Sequence, residues 1–188
     1  TLLTIGSYNF TYTITANGCT NSSTVVITVE DAPESGTVNA PAEFCLADIT
    51  TGQTFNLFDL LTDEDQIGTW TDDDATGALT ANTVALDGLS TGTFNFTFDV
   101  DAIGTCDDVL VTVSIIINDT TAPTVNANQS FCDNATVADL TATGNSIQWY
   151  DDATGGVALA DTTVLVDGEN YFASQIDPVT GCESSTRS

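Results

Sequence analysis

Residues 93–100 alternate without a break: Phe94, Phe96, Phe98 and Val100 fall on one side, Asn95, Thr97 and Asp99 on the other. A period of two marks a strand in a sheet with one wet face. An apolar run follows at 109–117. Before them, residues 55–61 form an apolar stretch stopped by Thr62-Asp63-Glu64-Asp65, 67–71 carry Trp70, and 79–86 follow an Ala75-Thr76-Gly77 turn. About seven short strands in under 90 residues, punctuated by Gly and Asp, predict a β-sandwich. The chain is rich in Thr, Val, Ile, Phe and Tyr, which suit a pleated, half-buried surface. The expected fold class is all-β.

The pattern repeats. Thr37-Val38-Asn39-Ala40 and Phe44-Cys45 return as Thr124-Val125-Asn126-Ala127 and Phe131-Cys132. Tyr8-Asn9-Phe10-Thr11-Tyr12 returns as Phe94-Asn95-Phe96-Thr97-Phe98, Cys19 as Cys106, and Val25 to Val29 as Val109 to Val113. Trp70 with its following Asp73-Asp74-Ala75-Thr76-Gly77 matches Trp149 with Asp151-Asp152-Ala153-Thr154-Gly155. The expected organisation is tandem immunoglobulin-like sandwiches placed end to end. Residues 1–31 are the last strands of a truncated repeat, 32–118 a complete one, and 119–188 a diverged one lacking its last strand. The segments 31–36 and 119–123 each contain a proline and read as short, semi-rigid linkers.

Five cysteines fit this scheme. Each repeat has an early and a late one, which pairs Cys45 with Cys106 and Cys132 with Cys182 and leaves Cys19 to a partner upstream. The alternative is buried free thiols. Disulfides persist outside a reducing cytosol, so an extracellular protein is expected. No basic leader precedes the first strand, as in a mature internal fragment, and no apolar run reaches the roughly 20 residues that cross a bilayer.

Charge narrows the functions. Asp and Glu number 27, Lys and Arg together one, and the formal net charge is −26. Binding to a phosphate backbone rests on Lys and Arg, so nucleic acid is excluded as a partner, and anionic membrane surfaces with it. Histidine is absent, which removes Ser-His and Cys-His nucleophiles. No CxxC, P-loop or dinucleotide fingerprint appears. The expectation is a protein without catalysis or an obligate cofactor. Clustered acids leave calcium open: Asp63, Glu64 and Asp65 in one turn, Asp72, Asp73 and Asp74 in another, with Asp99, Asp101, Asp107 and Asp108 nearby. The other reading is solvated charge on turns. Trp70 and Trp149 are either core residues or sugar-stacking platforms. Asn9, Asn21, Asn95, Asn118 and Asn134 head Asn-x-Ser/Thr triplets.

Two sets of motifs resemble known modules. Gly68-Thr69-Trp70-Thr71-Asp72-Asp73-Asp74, Gly77-Ala78-Leu79-Thr80, Gly92 to Phe98 and the late Cys106 resemble repeats of the giant cell-surface adhesins of gliding Bacteroidota, of which the SprB-type gliding motility adhesins are representative. Phe131-Cys132, Ile147-Gln148-Trp149-Tyr150, Ala153 to Gly156, Tyr171 to Ser174 and Gly181-Cys182 are similar to an Ig-like module of that phylum's secreted proteins. The resemblance implies type IX secretion, display on the outer cell surface, and stalk repeats of a filamentous adhesin serving attachment and gliding. Its implied partners are neighbouring repeats, gliding or secretion machinery, and a surface polysaccharide or substratum gripped by other regions. It also implies O-glycosylation at Thr120 and Thr162. The alternative is a spacer or carbohydrate-binding module of a secreted polysaccharide-degrading enzyme. A third possibility is that another chain completes the truncated ends by strand donation.

Overall fold

The computed structural model describes residues 2–188. The first element is a hairpin of β1 (Gly6–Ala16) and β2 (Cys19–Val29), paired along its whole length. Asn17 and Gly18 form its two-residue turn with φ of 51° and 80°. Positive φ at both positions is the mirror-image turn whose twist matches paired strands, and Asn-Gly is the dipeptide that tolerates it best.

Residues 37–118 build the sandwich. Its strands are β3 (Thr37–Val38), β4 (Ala42–Cys45), β5 (Thr54–Asn56), β6 (Leu61–Thr62), β7 (Gly68–Asp72), β8 (Leu79–Thr80), β9 (Thr83–Ala85), β10 (Gly92–Val100) and β11 (Val109–Asn118). One sheet runs β4-β11-β10-β7, with β4 parallel to β11. The other layer is divided into β3-β6 and β5-β9-β8. Phe96, Phe98, Val100, Val113, Ile115 and Ile117 bury their side chains against Leu57, Leu60, Leu61, Val84, Leu86 and Leu89. Full burial of each is worth about 1.5–3 kcal/mol, so this cluster is the main source of stability.

The apolar stretch 55–61 is not one strand. Leu57–Leu60 form a 3₁₀ turn between β5 and β6, opened by Asn56, whose Oδ1 accepts from Phe58 N. The turn points both Leu57 and Leu60 inward, which alternation would not do. Similarly, 79–86 folds back on itself at Ala81-Asn82 to give β8 and β9 and ends in the 3₁₀ turn Leu86–Gly88.

Residues 124–188 reuse this plan on a smaller scale. Strands β12 (Thr124–Val125) and β13 (Ala142–Thr143) pair as β3 and β6 do. The 3₁₀ turn Val137–Asp139 stands where Leu57–Leu60 stands. Strands β14 (Gln148–Tyr150) and β15 (Phe172–Ser174) set Trp149 opposite Ala173, as β7 and β10 set Trp70 opposite Phe98. Val137, Trp149 and Ala173 form its core. A last strand, expected to be missing, is begun: Ile176 pairs with Glu183, and Ala173 and Ser188 exchange both backbone bonds at 2.9 Å.

The β1–β2 hairpin has the register of β10–β11. Tyr8 faces Ile27 and Phe10 faces Val25, as Phe94 faces Ile115 and Phe96 faces Val113. This aligns Val25 to Val29 with Val113 to Ile117, not with Val109 to Val113 as the sequence match suggested. In the hairpin that apolar face is uncovered: Phe10 is 49 % and Val25 59 % exposed. The opposite face is a threonine ladder, with Thr11 bonded to Thr24 and Thr15 to Thr20.

Candidate functional site

The chemistry-bearing residues collect where one unit meets the next. Strand β4 ends with Cys45 directly beside Asn118, the last residue of β11. From Asn118 the chain enters the linker, so Cys45 marks the exit of the sandwich. Here it is joined to Cys182, with a Cα separation of 5.2 Å across 137 positions. Hydrogen bonds surround this bridge. Asp119 accepts from Ser185 N at 2.9 Å and from Ser185 Oγ at 2.6 Å. Gln175 Nε2 donates to Thr121 O, Ser188 Oγ to Pro123 O, and Asn118 Nδ2 to Glu43.

This corrects the expected disulfide framework. Cys106 lies in the loop before β11, while Cys45 lies beside its far end. Ten strand residues separate the two by about 30 Å, and a disulfide needs Cα atoms within about 7 Å. Cys182 is committed to Cys45, so Cys132 does not pair with it. Cys19, Cys106 and Cys132 are free thiols.

Cys106 nevertheless stands at the other junction. Thr105 N donates to Glu30 Oε2 at 2.8 Å, and the Cys106 thiol to Asp31 O at 3.5 Å. Gly104, at φ 74°, lets the loop lie against the Glu30 carboxylate, which a Cβ there would overlap.

The candidate calcium residues do not converge. Among the described residues no three His, Cys, Asp or Glu side chains form a metal-binding group. Their carboxylates instead hold loops to strands. Asp65 accepts from Glu34 N. Asp72 accepts from Thr76 Oγ1 and Gly77 N, Asp73 from Thr97 Oγ1, and Asp74 from Asn95 N. Asp63 is exposed, in the left-handed region at φ 61°. Burial pulls the Asp72 carboxyl upward, but the bonds from Thr76 and Gly77 outweigh it and hold it below the usual range. Bonds from Thr180 and Val179 lower Asp177 in the same way.

The tryptophans are placed by packing. Trp149 is buried. Trp70 is half-buried, stacked on Phe98 with centroids 4.8 Å apart and met edge-on by Phe58. Thr162 is exposed, and Thr120 is half-buried with its N–H held by Asp119. Asn95 is half-buried in β10 and bonded to Ser114.

One constellation was not foreseen. Tyr150 donates its hydroxyl to Glu183, which also bonds Ser174, and the Arg187 guanidinium lies over the Tyr150 ring at 3.3 Å. Arg187 Nη1 also donates to Asp152 O and Gly155 O. Burial, then the bond to the Glu183 carboxylate, pushes the Tyr150 phenol up. The group fastens the returning segment 183–188 onto β14 and β15. The only cation in the sequence was the available signal.

This geometry defines an Ig-like β-sandwich protein whose chemistry lies in its junctions. Residues 121–188 match the family described as Ig-like domain, CHU_C associated. None of the curated proteins compared matches the chain.

Proposed function

We propose that the chain is a stretch of stalk: stiff β-sandwich repeats that hold another part of a bacterial surface adhesin away from the cell. The observation that carries this reading is the Cys45–Cys182 bond, which ties one unit to the next instead of closing a unit on itself. Support comes also from Trp70 and Trp149, which pack with the two cores, and from the CHU_C-associated match over 121–188. The finer reading places the stalk on the outer surface of a gliding bacterium, exported by type IX secretion, in a SprB-type adhesin. Its partners are then the neighbouring repeats, and the grip on a polysaccharide or substratum belongs to other regions.

Two measurements test this. Affinity electrophoresis in gels containing plant and bacterial polysaccharides should show no retardation of the 188-residue chain. Antibodies against the chain should label intact cells of the organism that makes it. Saturable polysaccharide binding lost in Trp70→Ala would favour a carbohydrate-binding module instead. Antigen found only in culture medium, linked to a glycosidase, would identify a spacer.

A further inference from the structure

We infer that every junction between consecutive units is closed by the same disulfide, from the early cysteine of one unit to the late cysteine of the next. Cys106 and Cys132 are open halves of two such clamps. The bond between Cys45 and Cys182 is the example at hand: Cys45 is early in its sandwich, and Cys182 is late in the unit that follows.

The junction at 29–31 carries the same parts. The strand registers superpose Val29 on Ile117, because Gly6 faces Val29 as Gly92 faces Ile117. Glu30 therefore stands for Asn118, and Asp31 for Asp119. In the sandwich the early cysteine sits beside Asn118. The corresponding place beside Glu30 is where the Cys106 loop docks, through Thr105 N to Glu30 and the Cys106 thiol to Asp31 O. In each junction a linker acid is held by a backbone N–H close to the late cysteine, at neighbouring rather than equivalent positions: Thr105 on Glu30, which stands for Asn118, and Ser185 on Asp119. Cys106 is thus poised against the spot that an early cysteine occupies once β1–β2 is the closing hairpin of a full sandwich. The bare face of Phe10 and Val25 is the face that such a sandwich covers, as Leu57 and Val84 cover Phe96 and Val113. Cys132, exposed in the loop after β12, is the early half awaiting the next late cysteine.

Closing each clamp joins two sulfurs and removes two electrons and two protons. A disulfide oxidant takes them up. With oxidised glutathione, two protein thiols give one protein disulfide and two molecules of reduced glutathione.

The test is a polypeptide in which a copy of residues 32–117 replaces 1–29 ahead of Glu30, with Glu43→Asp and Ile103→Ala in the added copy to mark its Cys45 and Cys106 peptides; Ile103 is exposed. It is refolded in a glutathione buffer, alkylated and mapped without reduction. The expected cross-links are added Cys45 to native Cys106, and native Cys45 to Cys182, which reports that the junctions have formed. Pairing of added Cys45 with added Cys106 overturns the inference. So does alkylated native Cys106, or the absence of the Cys45–Cys182 peptide. A second measurement uses the 188-residue chain itself. A Cys45–Cys182 peptide with Cys19, Cys106 and Cys132 alkylated supports the scheme, and a Cys45–Cys106 peptide overturns it. Both readouts are independent of whether the stalk belongs to an adhesin.

Discussion

Cys45 and Cys182 are bonded across a unit boundary, and the hydrogen bonds of Asp119 to Ser185 lie around them. The boundary is therefore a packed joint, and its rigidity depends on a covalent link that reduction can remove. Cys182→Ser should destabilise residues 119–188 most. The chain-entropy model assigns a bridge over a loop of this size about 5 kcal/mol. Thermal melts of the variant and of wild type in reductant should show the same loss.

Phe96 and Phe10 hold equivalent register positions in unequal surroundings. Phe96 is fully buried, and Phe96→Ala should cost about 3–5 kcal/mol by leaving a cavity. Phe10 is 49 % exposed, and Phe10→Ala should change stability by less than about 0.5 kcal/mol. Urea midpoints of both variants check the pair. A large loss for Phe10→Ala would mean that the hairpin face is covered in solution.

Asp72 gives stability an acid limb. Its carboxyl is held below the ordinary value of 3.8 in the fold. The stabilisation is therefore complete above that unfolded value and is lost as pH falls through the lower folded one. Asp72→Asn should lower the melting temperature at neutral pH and flatten its decline between about pH 4 and pH 2. Parallel curves for variant and wild type would contradict this.

Tyr150 acts at the other end of the scale. Its phenol is raised above 10.0 by burial and by Glu183. Stability from its neutral form is full below 10.0 and is lost as pH rises through the folded value. Absorbance titration should show one phenolate forming at higher pH than the others, a step that disappears in Tyr150→Phe.

The acidic turns predict indifference to chelation. Asp72, Asp73 and Asp74 bond to Thr76, Thr97 and Asn95, so EDTA should leave the melting temperature unchanged. Asp73→Asn should lower it by weakening the contact to β10. A rise of several degrees with added calcium would revise this reading.

Much of the sandwich was legible because its signals are local. The alternation at 93–100 is β10, and the run at 109–117 is β11. The 3₁₀ turn at Leu57–Leu60 was hidden because a short apolar run reads the same whether it alternates or coils. The disulfide pairing was hidden for a different reason. Early and late positions are known from order alone, but pairing depends on which end of β11 lies near which cysteine. That follows from β4 running parallel to β11, a choice with no local signature. The Tyr150–Glu183–Arg187 group was missed because its members come together only when 183–188 folds back.

The Cys45–Cys182 bond also fixes how the chain can be stretched. A pull applied before Cys45 and after Cys182 runs through the two sulfurs and bypasses the backbone between them. The 137 positions they span would add roughly 450 Å if drawn out. While the bond holds, that length is locked away, and the strands between Cys45 and Cys182 cannot be drawn out.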